Sequence, residues 1–149
     1  MQPGRMLTMD PLAVTRSISL PTSADQAWRS VVDGAWLGER VDLDLVVGAA
    51  GTIEDAGVRR RALVAEMVEG ASLRLLWWDE ADPAVVSTVE VHVAGDHDAA
   101  TVTVTERVLG GAVALATQAT VADLGGAEST WDRRLRALVG EIALAPATA

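Results

Sequence analysis

Two charged residues fall on the apolar side of alternating sequence patterns, where a charge could take part in chemistry. Arg16 shares its parity with Val14 and Ile18, and Glu106 follows Val104 in the segment TVTVTE. Because a buried charge without a partner is very costly, each should have one. If the first strand lies beside the last, the two residues form an ion pair with each other. If both lie near strand ends, their charged groups reach water instead.

The chain has five tryptophans and no Phe or Tyr, and two of the tryptophans are adjacent in SLRLLWWD. Neighbouring side chains of a strand lie on opposite faces of the sheet. Trp77 shares its parity with Leu73 and Leu75, which predicts that Trp77 lies inside, either as core or as a surface on which a ligand stacks. We expect Trp78 on the outer face, covered by a loop or by a second subunit.

The other tryptophans raise the same choice between packing and binding. Trp131 is expected to lie against the sheet from the last helix, as core or as part of a ligand site. Trp36 falls in a turn, where it either packs or lines the mouth of a pocket. Trp28 fits the apolar stripe of the first helix.

Several kinds of chemistry are excluded or disfavoured by composition. The chain has no Cys, and all 12 of its basic residues are Arg, so neither a thiol nor a lysine amine can act as a nucleophile. His92 is expected on a solvated sheet face and His97 in the exposed turn GDHD, so we predict no metal site and no cofactor. The run Arg59 to Arg61 alternates across a strand, which favours a salt-bridged outer face over an anion site. No nucleophile elbow or phosphate-binding loop is present, so nothing compels an enzyme.

The net charge of the chain limits the classes of partner that it is expected to bind. With 21 acidic residues the net charge is -9, which repels nucleic acid and anionic membranes. No apolar run approaches the roughly 18 residues of a membrane span, and residues 1–11 have no signal-peptide pattern. We therefore expect a cytoplasmic protein that binds neither nucleic acid nor membrane.

The elements that must position these residues can be read from periodicity and turn signals. Residues 1–11 form a flexible lead-in, 12–143 a single domain and 144–149 a flexible tail. A strand at 12–20 precedes a helix that is capped by Ser23, with Gln26 as its capping-box partner, and that ends near Gly34. Strands are predicted at 41–47, 52–54, 58–68, 72–79, 85–94 and 100–108, and short connections make them an antiparallel meander.

The segment 109–124 has no clean period and is expected to be a linker with at most a short helix. A long C-terminal helix follows Gly126. Its apolar stripe comprises Trp131, Leu135, Leu138, Val139 and Ile142, and its polar side comprises Asp132, Arg133, Arg134 and Arg136.

The order of these elements and five motifs resemble the START-like (SRPBCC) superfamily, in particular the bacterial group named after the activator of the Hsp90 ATPase. The motifs are RSISLP with the following AW, WLGERVDLDLVVGAAG, VAEMVEGASLRLLW, TVTVTE and WDRRLRAL. The resemblance spans about residues 12–143 and implies an α+β helix-grip fold, a curved antiparallel β-sheet wrapped around a long C-terminal helix. The spaced Gly48 and Gly51 replace a more regular Pro-Gly-Gly turn of the family.

The resemblance also implies a small hydrophobic ligand between the sheet and the last helix. The residues expected to line this site are Arg16, Trp36, Leu43, Leu45, Leu75, Trp77, Val89, Val91, Val104, Glu106, Trp131 and Leu135. One alternative is an enzyme resembling polyketide cyclases and aromatases, in which Glu106 or Arg16 polarises a substrate. Another is a protein-interaction module, with a homodimer as the possible assembly through the face around Trp78.

Overall fold

Seven strands and two α-helices make up the part of the protein that the computed structural model describes, residues 13–109 and 130–140. In chain order these are β1 (Ala13–Leu20), α1 (Ala24–Asp33), a 3-10 helix (Ala35–Leu37), β2 (Arg40–Asp42), β3 (Ala50–Asp55), β4 (Val58–Val68), β5 (Ser72–Asp79), β6 (Asp82–Gly95), β7 (Ala100–Val108) and α2, described over 130–140. Each strand overlaps its predicted range, although β2 shares only residues 41 and 42 with the range predicted for it.

The strands form one open, curved sheet in the order β1-β7-β6-β5-β4-β3-β2. All neighbours are antiparallel. The six strands from β2 to β7 follow each other because their connections are too short for a parallel crossover. Strand β1 pairs with β7, so the first and last strands are adjacent. This is the predicted helix-grip arrangement.

Helix α1 begins and ends where its capping residues require. The Ser23 hydroxyl accepts the backbone N–H of Gln26 at 3.1 Å. Gly34 adopts φ +81 at the C-cap, a conformation that glycine reaches without strain, and its N–H donates to the Val31 carbonyl. The side-chain oxygen of Gln26, expected to complete a capping box, accepts from Arg29 instead.

The strand predicted at 41–47 is wrong beyond Asp42. The chain turns there, with Val46 N–H donating to the Asp44 carbonyl, and Val47 is 62% exposed although the alternation placed it inside. A Cβ atom on Gly51 would lie 2.0 Å from the Asp42 carbonyl oxygen. The chain therefore passes so close to β3 that only glycine fits at position 51. Beyond Asp42 the alternation of apolar and polar residues no longer corresponds to the two faces of a sheet.

Helix α2 lies against the inner face of the sheet. Trp131, Leu135 and Leu138 are buried, and Val139 packs against the same core. The predictions for Ile142, for the linker 109–124 beyond Leu109 and for both chain ends fall outside the described residues. In the part of the chain that is described, no helix is both long and apolar enough to cross a membrane.

Candidate functional site

Trp77 lies on the inner face of β5, and the adjacent Trp78 lies on the outer face. In register, Trp77 stands between Ala62 of β4 and Ser87 of β6, two small residues that leave room for an indole ring. Trp77 is 2% exposed, whereas Trp78 is partly exposed. The predicted separation of the two tryptophans is confirmed.

Trp77 is one of three tryptophans in contact, and we call Trp36, Trp77 and Trp131 the tryptophan cluster. The rings of Trp77 and Trp131 stack with centroids 5.5 Å apart and 17° between planes, and Trp36 is tilted against Trp131 at 6.1 Å. Stacked aromatic pairs contribute about 0.5–1.5 kcal/mol beyond burial. A further ring cannot enter between Trp77 and Trp131 at this spacing. Trp36 also donates its indole N–H to the Val31 carbonyl, so it packs rather than standing at an open mouth.

Glu106 on β7 joins two members of the tryptophan cluster. Trp77 Nε1 donates to Glu106 Oε2 and Trp131 Nε1 donates to Oε1, each at 2.9 Å. Hydrogen bonds to an ionised acceptor are stronger than neutral ones, so this carboxylate ties β5 and α2 to β7. Glu106 lies on the inner side of the sheet, as its parity predicted.

The predicted ion pair between Arg16 and Glu106 is wrong in its partners. In the β1–β7 register Glu106 stands opposite Val14, and Arg16 stands opposite Val104. Arg16 instead forms a bidentate pair with Asp132 of α2, with both hydrogen bonds at 2.8 Å. The hydrogen bond from Arg16 lowers the pKa of Asp132 below its ordinary value.

A second charged contact joins α2 to the end of β3. The Asp55 side chain is fully buried and accepts hydrogen bonds from Arg133 Nη1 at 3.2 Å, Arg133 Nη2 at 2.6 Å and Arg134 Nε at 3.0 Å. Burial acts to raise the pKa of Asp55, but the hydrogen bonds from Arg133 and the charges of both arginines outweigh it and hold the pKa below 3.8. The carboxylate is therefore ionised at neutral pH.

Arg134 was expected on the polar side of α2, and that prediction is wrong. The residue is 2% exposed, and its guanidinium carbon lies 4.5 Å from the Trp131 ring centroid and 5.1 Å from that of Trp77. Burial is the main cause that lowers the pKa of Arg134 to about 10, the charge of Asp55 opposes this, and the charge of Arg60 lowers it further. A cation over aromatic rings is stabilised by the ring quadrupole.

Arg60 differs from its neighbours in the arginine run. Its guanidinium carbon lies 4.9 Å from the centroid of the Trp77 ring, on the inner face. Arg59 and Arg61 form ion pairs with Glu80 at 3.5 and 3.6 Å on the outer face. The prediction of a salt-bridged outer face is confirmed for Arg59 and Arg61, and the alternation of the run places Arg60 on the opposite, inner face.

The predicted ligand-lining residues share the interior of the fold. Nine are buried: Trp36, Leu45, Leu75, Trp77, Val89, Val91, Val104, Trp131 and Leu135. Arg16, Leu43 and Glu106 are partly buried. A role in binding stays a prediction for all of them.

Sequence reasoning missed Asp55, Arg60 and Arg134, although each has a signal. Arg134 stands at i+3 from Trp131, on the buried stripe rather than beside it. Asp55 has the parity of the buried Ile53 in β3. For Arg134 the charge led to an expectation of exposure, and the periodicity was the better guide.

An open depression of about 490 Å³ lies near the tips of the β3–β4 and β5–β6 hairpins. It is lined by Gly57, Val58, Arg59, Asp79, Glu80 and Ala81. None of the predicted ligand residues belongs to it. Of the three arginines at positions 59–61, only Arg59 belongs to its lining.

Similar folds occur among solved structures. DynU16, a putative protein in the dynemicin biosynthetic locus, matches with a TM-score of 0.67 and 19% identity over 89% of this chain and 48% of its own. Protein MLL2253 from Mesorhizobium loti matches with a TM-score of 0.70 and 17% identity over 86% and 94% of the two chains. The Aha1 dimer from Colwellia psychrerythraea matches with a TM-score of 0.67 and 12% identity over 89% and 96%.

These neighbours have the predicted architecture. The chain has the START-like fold. At these identities the likeness concerns the fold alone, and this chain spans about half the length of DynU16. No protein-family model and no curated protein matches the sequence. Within this START-like fold, the tryptophan cluster and its charged neighbours lie between the sheet and α2, the region that the resemblance implied for a ligand.

Proposed function

We propose that this protein binds a small, mostly apolar molecule between the curved sheet and α2. The observation that carries the proposal is the set of charges on the inner side of the sheet: Glu106, Arg60 and Arg134 lie around the tryptophan cluster. Taking a charge out of water is costly, so stability alone gives little reason to keep three charged side chains on this face. Ligand sites, by contrast, are mostly apolar surfaces with a few well-placed polar groups.

The apolar surface for such a molecule comes from the inner side chains of the central strands. Leu75 of β5, Val89 and Val91 of β6 and Val104 of β7 are all buried on this face. Their alternation with outward polar residues makes one continuous apolar surface. A ligand would contact this surface along its body and the charged groups at one end.

The test is a fluorescence titration with the neutral dye N-phenyl-1-naphthylamine, combined with native mass spectrometry of the protein purified from its own host. We expect saturable binding of one dye molecule per chain and a retained small molecule that competes with the dye. A protein that arrives without any bound molecule and shows no saturable dye binding would refute the proposal.

A matched pair of variants locates the site. Leu135→Trp adds bulk between α2 and the sheet, and we expect it to weaken dye binding at least about tenfold, since overpacking removes space. Arg136→Trp adds the same ring on the exposed side of the helix and should leave binding unchanged. Near-ultraviolet circular dichroism of both variants checks that the fold is kept.

A homodimer is a second candidate property, favoured by Trp78. This tryptophan stays partly exposed on the outer face, and the neighbour from Colwellia psychrerythraea is described as a dimer. If Trp78 is covered by a second copy, Trp78→Ser should lower the sedimenting mass and leave dye binding intact. A wild-type protein that sediments as a monomer at high concentration would exclude this assembly.

A further inference from the structure

The two arginines on the inner side of the sheet, Arg60 and Arg134, differ in their hydrogen bonds from the acidic residues of the interior. Glu106 uses both oxygens for indole N–H groups, and Asp55 accepts from two arginines. Arg134 Nη2 is buried and lies 2.9 Å from Asp55 Oδ2, but within the described residues it has no partner with hydrogen-bond geometry. A buried donor without an acceptor is costly, which indicates that an acceptor belongs there.

Arg60 adds a second cation near the Trp77 ring. Both guanidinium groups lie within about 5 Å of the Trp77 ring centroid. In register Arg60 stands opposite Asp79, but Asp79 Oδ1 accepts the N–H of Ala81, and no ion pair of Arg60 occurs within the described chain. The charge of Arg60 also contributes to lowering the pKa of Arg134. An anion between the two would remove this repulsion.

We infer that Arg60 and Arg134 form an anion subsite, so that the ligand is an apolar organic anion whose carboxylate or similar group accepts hydrogen bonds from these guanidinium groups. This inference rests on the proposed function. Guanidinium groups are donors only, and their planar fork fits a carboxylate better than a neutral oxygen. Arg60 is partly exposed, which gives an anion access from solvent.

The experiment compares two dyes that share one skeleton. 1-Anilinonaphthalene-8-sulfonate is N-phenyl-1-naphthylamine with an added sulfonate, which stands in for the carboxylate. The net charge of -9 disfavours adsorption of an anionic dye on the surface, so tight binding would report a specific site. We expect the sulfonated dye to bind at least about tenfold more tightly than the neutral one, the effect of one hydrogen bond between charged groups.

The variants Arg60→Gln and Arg61→Gln make the same change of charge at adjacent positions on opposite faces. Arg60→Gln should weaken binding of the sulfonated dye about tenfold and leave the neutral dye unchanged. Arg61→Gln, whose side chain is 55% exposed and paired with Glu80, should change neither. Arg134→Gln should act like Arg60→Gln, provided that it keeps the wild-type circular dichroism.

The outcomes separate the two proposals. Absence of saturable binding for both dyes would overturn the binding function itself. Saturable binding of the neutral dye without a gain for the sulfonated dye would overturn the anion subsite alone. Equal losses for Arg60→Gln and Arg61→Gln would also overturn it, because a general charge effect would then explain the preference.

Discussion

Trp77 and Trp78 are adjacent in the chain and have different surroundings in the protein. Trp77 stacks on Trp131, donates to Glu106 and lies under Arg60, whereas Trp78 lies among side chains of the outer face. The alternation of a strand decides this division, because it sends consecutive side chains to opposite faces. Replacing Trp77 should therefore destabilise the protein more than replacing Trp78.

Trp77→Leu should destabilise the protein by about 3 kcal/mol, since it removes ring contacts and leaves a Glu106 oxygen without its donor. Trp78→Leu should cost less than about 1 kcal/mol, as is usual for partly exposed positions. Urea denaturation followed by far-ultraviolet circular dichroism measures both values. Similar losses for the two variants would contradict the assignment of Trp77 to the core.

At the scale of elements, the close approach of the chain before β3 depends on one residue. Gly51 pairs with Ala62 across β3 and β4, and a Cβ atom there would meet the Asp42 carbonyl oxygen at 2.0 Å. Strand β2 has only three residues, so it has few other contacts to hold it in place. Any side chain at position 51 must displace β2.

Gly51→Ala is therefore expected to lower the free energy of unfolding by about 2 kcal/mol, in the range found for overpacked sites. Gly140→Ala is the matched control, because a Cβ atom there meets nothing within 4 Å and the residue lies in α2. The helix propensity of Ala should make this control neutral or stabilising by about 1 kcal/mol. Chemical denaturation of both variants tests the contrast, and a neutral Gly51→Ala would show that β2 can shift without loss.

Helix α2 is attached to the sheet at three places along the described chain. Arg16 pairs with Asp132, Glu106 binds Trp131, and Asp55 binds Arg133 and Arg134. The side chains of the Arg16–Asp132 pair are 40% and 34% exposed, so solvent screens this contact. The buried Asp55 contact is the one whose disruption leaves a charge inside without its partners.

At the scale of the whole molecule, the free energy of unfolding should depend on pH. The pKa values of Asp55 and Asp132 are lower in the folded protein than their ordinary value of 3.8. A depressed carboxyl pKa gives stability that is present above the unfolded pKa and lost as pH falls through the folded one. We expect the free energy of unfolding to be constant near neutral pH and to fall progressively below about pH 4.

Urea titrations between pH 7 and pH 2 measure this dependence. Asp55→Asn should be less stable than wild type at pH 7 and should lose less on acidification, because one of the depressed groups is gone. Asp98→Asn, in an exposed turn, should keep the wild-type pH profile. A wild-type acid dependence that persists fully in Asp55→Asn would show that this carboxylate does not carry it.

Much of the architecture was predictable because it follows from local rules. Period-two alternation, turn residues and the Ser23 cap predicted most strand ranges, the first helix and the antiparallel order. The strand prediction is wrong at residues 43–47, although the alternation of apolar and polar residues continues there beyond the end of β2. Only the close passage at Gly51, which depends on two strands at once, explains why the chain leaves the sheet there.

From the sequence by itself, side-chain parity determined the inner faces of Trp77 and Glu106, because parity is a property of each strand alone, and the resemblance to the START-like superfamily implied the helix-grip fold. The tertiary structure decided which charges meet. Arg16 and Asp132 are 116 residues apart, and Asp55 and Arg134 are 79 apart. Such pairs depend on sheet register and on the rotation of α2 about its axis. Periodicity along a single element cannot provide either, which is why the partners of the interior charges appear only in the folded chain.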